Sequence, residues 1–131
     1  MKSSVGFITI LSVLPWLVAA TDNSHPAIKE ALERIADHPE NYIYDLGDVG
    51  LFKINKAYFS DDNTFVFHHE YLNGIVTLYE FDGDAMVVEG SYQTDENSGS
   101  ITLSLQADGS ASGEWHYFFF DGPVKIINIR P

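Results

Sequence analysis

The spacing of apolar residues changes once along the chain. Between residues 26 and 37 it is three or four: Ile28, Leu32 and Ile35 lie on one stripe, with Ala27, Ala31 and Ala36 beside them. That is the repeat of a helix face. Ser24 or His25 stands ready as a cap, Pro26 suits the first turn, and Pro39 stops the helix near Asp37. Glu30 with Arg34, and Lys29 with Glu33, fall at i,i+4 on the other side. The pattern predicts an amphipathic helix built to lie on a sheet.

From Tyr42 onward the spacing drops towards two. A short piece covers residues 42–46, and candidate strands run at about 51–59, 64–72, 75–81, 85–92, 100–106, 112–120 and 124–129. Turn-forming groups separate them: Asp61-Asp62-Asn63, Asn73-Gly74, Asp82-Gly83-Asp84, residues 95–99, Asp108-Gly109 and Asp121-Gly122-Pro123. Ile101, Leu103 and Leu105 alternate with Thr102, Ser104 and Gln106, as in a half-buried strand. Asn73-Gly74 reads as a two-residue type I′ turn, which would set Leu72 opposite Ile75, Glu70 opposite Thr77 and His68 opposite Tyr79. Residues 115–120 do not alternate, so that strand is expected to be covered on both faces. Gly90 and Gly113, and likewise Gly99 and Gly122, head similar short stretches at the same 23-residue offset. A regular meander produces such self-similarity.

The expected fold is therefore mainly β: an antiparallel meander of about seven strands, closed as a small barrel or strongly curved, with one N-terminal amphipathic helix. Residues 21–41 form the helical segment and residues 42–131 the β domain.

The first twenty residues stand apart. Lys2, an apolar run over residues 5–18 and small residues Val18-Ala19-Ala20 precede polar Thr21-Asp22-Asn23-Ser24. This order is that of a secretory signal peptide cleaved after Ala20, and the run is short for a membrane span. The expected location is periplasmic or extracellular, with no membrane anchor after cleavage. The chain has no cysteine, so no disulfide frame or thiolate chemistry is available, and stability rests on apolar burial.

Charge narrows the partners. The chain carries 7 basic and 19 acidic residues, a formal net charge of −12; loss of Lys2 takes it to about −13. Residues 57–124 contain no Lys or Arg at all. Such a surface repels phosphate backbones and anionic lipid, which argues against nucleic acid and membrane surfaces, and it makes metal cations and basic proteins the better partners.

Candidate chemistry follows from the faces. His68 and Glu70 are two apart on a strand, and the expected turn adds Thr77 and Tyr79 to their face. With Trp115 and Tyr117 these six form the candidate ligand-binding set. His68 and Glu70 are also the candidates for catalysis, as a proton-transfer pair. On the opposite reading Phe65, Phe67, Tyr71, Val76 and Leu78 are the core face, and His69 falls among them. Meander topology gathers Asp61, Asp62, Asp82, Asp84 and Asp108 at one end, the only candidates for a metal, although Asp is also a natural turn residue. No cofactor motif is present. Three functional classes result: an exported domain binding an apolar small molecule in an aromatic cavity or groove; an acidic protein-interaction module, as inhibitor, effector or homodimer built on residues 115–120; and a small barrel enzyme using His68 and Glu70.

Overall fold

The computed structural model describes residues 25–130; the expected signal peptide lies outside the described residues. The order of elements is α1 (Pro26–Asp37), β1 (Tyr42–Asp45), β2 (Leu51–Asp61), β3 (Thr64–His69), β4 (Gly74–Asp82), β5 (Val87–Gln93), β6 (Ser98–Leu105), β7 (Ala111–Tyr117) and β8 (Phe120–Asn128). Each strand pairs antiparallel with the next, and β1 pairs with both β2 and β8, so the sheet closes into an eight-stranded barrel. The short piece at residues 42–46 is thus the strand that joins the edges. Closure removes every unpaired edge.

The barrel interior is one apolar core. Phe65, Phe67, Val76, Leu78, Val88, Ile101, Leu103 and Val124 are fully buried in it. Ile28, Ala31, Leu32 and Ile35 of α1 belong to the same cluster. Outward strand positions stay mostly exposed, so the helical stripe reaches this core through an end of the barrel rather than across a wall. The start of α1 marks that end: His25 caps it in a left-handed conformation (φ 45°) without a side-chain bond, and its ring meets Phe81 edge-on at 6.0 Å. The β2–β3, β4–β5 and β6–β7 turns lie at this helix end; the β1–β2, β3–β4, β5–β6 and β7–β8 connections lie at the far end.

At the helix end, Tyr42 Oη donates to the Asp108 carbonyl at 2.6 Å and ties β1 to the β6–β7 turn. Tyr42→Phe is expected to cost about 1 kcal/mol in urea unfolding, the usual net worth of one such bond.

Two turns differ from the sequence expectation. Asn73-Gly74 is not a two-residue turn. His68 stands opposite Ile75, His69 opposite Gly74 and Val66 opposite Thr77. The positive φ values fall on Leu72 (50°) and Asn73 (52°), leaving Gly74 inside β4. The reason is steric: a Cβ on residue 74 would stand 2.1 Å from the His69 ring. Because the slip is even, the assignment of faces survives it. Residues 115–120 are not one strand. β7 ends at Tyr117, Phe118-Phe119 form the hairpin turn, and Phe120 begins β8. Their expected double burial is replaced by exposure, 84% for Phe118 and 99% for Phe119.

Candidate functional site

The far end of the barrel holds a cavity of about 190 Å³. Three hairpins build its wall in the same way. In each, an inward aromatic ring on one strand lies over a glycine directly opposite: His69 with Gly74, Tyr92 with Gly99, and Trp115 with Gly122. A Cβ would meet the ring at 2.1 Å on Gly74, 2.8 Å on Gly99 and 2.5 Å on Gly122. A bare glycine therefore gives each ring its seat. The two later pairs are the 23-residue repeat visible in the sequence.

Tyr44 of β1 completes the ring of aromatics. It stacks on His69 with centroids 4.2 Å apart, while Tyr92 and Trp115 meet edge-on at 6.5 Å. Leu46 and Val49 of the β1–β2 loop and Tyr71 of the β3–β4 loop add apolar lining. Thr94 and Asn97 line the mouth from the β5–β6 loop, held by mutual bonds: the Asn97 amide donates to Thr94 Oγ1 at 3.1 Å and the Thr94 amide to the Asn97 carbonyl at 2.8 Å. The Asp95 amide donates to the Leu72 carbonyl (2.9 Å) and Asn73 Nδ2 to Asp95 Oδ2 (2.7 Å), bracing two mouth loops against each other.

His69 is only 3% exposed. The Tyr71 amide donates to its Nδ1 at 3.3 Å, so the neutral ring carries its proton on Nε2. Burial first, and the neighbouring His68 second, push its pKa down to about 4. Among the described residues Nε2 finds no protein partner, and neither do the hydroxyls of Tyr44, which is buried, and Tyr92, which is half-buried. Tyr44 as a residue is 3% exposed, and its hydroxyl is held above the usual phenol range by burial and then by the nearby Tyr92. Buried donors without partners typically cost about 1–3 kcal/mol each, so they are uncommon in native interiors.

The depressed His69 pKa sets a pH dependence. An unfolded imidazole titrates near 6.5 and the folded one near 4. The unfolded chain takes up the proton first, so this contribution to stability is full above about pH 6.5 and is lost as the pH falls towards 4. Urea midpoints are expected to decline through that window, and His69→Gln is expected to flatten the decline. An unchanged slope in the variant would place the titration elsewhere.

Of the six residues expected to bind ligand, the cavity uses Trp115 alone. His68, Thr77 and Tyr79 face outward; His68 is half-buried with Nε2 3.4 Å from Tyr58 Oη. Partial burial and then Lys56 lower its pKa. Glu70 has left the strand for a helical backbone conformation in the exposed loop, so it shares no strand face with His68 and the proton-transfer pair does not assemble. Tyr117 packs on Phe118 at 4.6 Å beyond the cavity lining. The acidic turns do share the helix end, but Asp61, Asp82 and Asp108 accept bonds within their own turns, from Asn63, Ala85 and Ser110. Among the described residues no three His, Cys, Asp or Glu side chains converge as a cation site. The residues that sequence reasoning missed, Tyr44, His69 and Tyr92, each had a signal: inward parity in a strand.

Fold and cavity together define a class: a closed up-and-down antiparallel barrel, plugged by a helix at one end and carrying an aromatic cavity at the other. Comparison with protein-family models, curated proteins and solved structures finds no match for the chain. Function is therefore argued from the chemistry of the cavity.

Proposed function

We propose that the protein is an exported binding module that holds a small, mainly apolar molecule in the far-end cavity. The observation that carries this reading is the wall of aromatic rings, three of them on glycine seats, around about 190 Å³ of space. A dry cavity of about 150 Å³ is known to hold benzene, whereas drug-sized ligands need roughly 300 Å³ or more. The occupant is thus one ring, or a fused pair at most. The helix that fills the opposite end leaves entry to the far end, where the loops lie. Export of this module fits its acidic, cysteine-free composition and its leader-like first residues.

Toluene added to the purified protein is expected to shift the Trp115 indole N–H resonance with saturation, and native mass spectrometry to show one added molecule. A resonance unmoved up to toluene's solubility limit sinks the reading.

The Phe118-Phe119 turn favours a second reading, contact with a basic protein. The exposed aromatics stand next to Asp121, in a stretch of sequence (residues 57–124) without Lys or Arg, and apolar tips with acidic neighbours suit cationic, partly apolar surfaces. Binding of cytochrome c as a basic probe is expected to weaken in salt and to be lost in Phe119→Asn. If sedimentation instead shows wild-type self-association that Phe119→Asn abolishes, the tip is a homodimer contact and the basic-partner reading fails.

A further inference from the structure

We infer that the molecule taken up by this cavity is uncharged and carries a hydroxyl or carbonyl oxygen, which accepts a hydrogen bond from His69 Nε2 and lies within reach of the Tyr44 and Tyr92 hydroxyls. This inference rests on the binding reading above and names the chemistry of its ligand.

Three observations meet here. The first is the direction of polarity. The Tyr71 amide occupies Nδ1 of His69, which leaves Nε2 as a donor, and among the described residues no protein acceptor is offered to it. The second is the neighbourhood of that donor. Tyr44 stacks on the same imidazole, and its hydroxyl, buried and without a protein partner, feels that of Tyr92. One oxygen atom at this place answers several groups that the fold leaves unanswered. The third is charge. Among the described residues no lysine, arginine or carboxylate lines the cavity. A carboxylate ligand would be buried without a countercharge in a chain of net charge −12, and a cation would meet the His69 N–H without a carboxylate to balance it. Aromatic rings do attract quaternary ammonium groups, so that alternative belongs in the test. Tyr44 stacks on the imidazole, and Gly74 lies close against the same ring, so the donor is held in one place before any ligand arrives.

The test compares toluene, phenol, benzoate and tetramethylammonium by titration of the Trp115 indole N–H resonance at pH 7. Phenol is expected to bind at least tenfold tighter than toluene, and both charged probes more weakly than phenol. Tyr44→Phe removes only the hydroxyl and is expected to reduce the preference for phenol over toluene several-fold. The His69 ring nitrogens give a readout independent of affinity: long-range proton–nitrogen spectra are expected to show the Nε2–H form, with Nε2 moving on addition of phenol. Equal affinity for phenol and toluene overturns the oxygen inference and leaves the apolar-binding reading standing. Tighter binding of tetramethylammonium or benzoate than of phenol overturns it as well, as does an Nδ1–H imidazole. Failure of all four probes removes the binding reading itself, and the inference with it.

Discussion

Alanine at Gly90 is expected to destabilise the barrel by about 3 kcal/mol, at the upper end of what overpacking costs. A methyl group there would stand 1.8 Å from the Thr77 carbonyl oxygen and 2.8 Å from the Leu78 Cα. Both are backbone atoms of the neighbouring strand, so no side chain can swing aside. The pairing of β4 with β5 is irregular at the same place: Leu78 faces Gly90, yet the next pair is Glu80 with Glu89. A bulge and a glycine together let the sheet bend tightly enough to close. In an ordinary strand the same change is favourable by roughly 0.5–1 kcal/mol, because glycine loses more freedom on folding. The sign of the effect is therefore diagnostic. Urea unfolding of Gly90→Ala, with exposed Ser91→Ala as the control, decides it; a variant as stable as the wild type would mean that β4 and β5 do not approach so closely. Gly113, whose Cβ would stand 1.8 Å from the Thr102 carbonyl oxygen, is expected to behave alike.

Leu32→Ala is expected to cost about 2–5 kcal/mol, the range for a large aliphatic side chain deleted from a core. Leu32 is fully buried among residues of both the helix and the barrel. Against a total stability of roughly 5–15 kcal/mol, a loss of this size brings a small domain close to unfolding. The helix and barrel share one core, so the loss is expected in a single cooperative transition seen identically by far-ultraviolet dichroism and tryptophan emission. A loss below about 0.5 kcal/mol is what a surface position gives, and it would make α1 an attachment on the wall instead of the plug at the end. Arg34 and Lys29 serve as contrasts. Their i,i+4 partners Glu30 and Glu33 lie on the same wet side, yet among the described residues no ion pair of the helix closes, so their removal is expected to change little.

How far the sequence could be read follows from the range of each interaction. The helix was legible because its signal is local: Ile28, Leu32 and Ile35 repeat at helical spacing and Pro39 ends the run. The strands were legible for a similar reason, since alternation such as Ile101, Leu103, Leu105 needs only the chain itself. Their connections were less so. Asn73-Gly74 has the composition of a two-residue turn, but the His69 ring requires glycine in the strand, and that requirement comes from a residue across the sheet. Phe118-Phe119 has no turn composition at all. Its place as a hairpin tip follows from the register of β7 with β8, which sets Trp115 over Gly122 and Tyr117 opposite Phe120.

The candidate site divides along the same line. Trp115, one of the aromatic candidates, lines the cavity. His68 is the sequence candidate because it shares a strand face with Glu70, Thr77 and Tyr79, while His69 falls on the face of the phenylalanines. Closure of the barrel reverses that choice. Once β1 pairs with β8, the face bearing Phe65, Phe67 and His69 becomes the interior, and the face bearing His68, Thr77 and Tyr79 becomes the outer wall.

By itself, then, the sequence determined the mainly β class, the single amphipathic helix, the acidic and cysteine-free character and the parity of side chains along each strand. All of these are written in composition or in the spacing of near neighbours. Only the tertiary structure decided that the sheet closes, which of its two faces is inside, that the helix fills one end and that Tyr44, His69, Tyr92 and Trp115 surround a cavity at the other. These depend on pairings between residues as far apart as Tyr44 and Ile126, and nothing in the spacing of near neighbours specifies which distant strand will supply the partner.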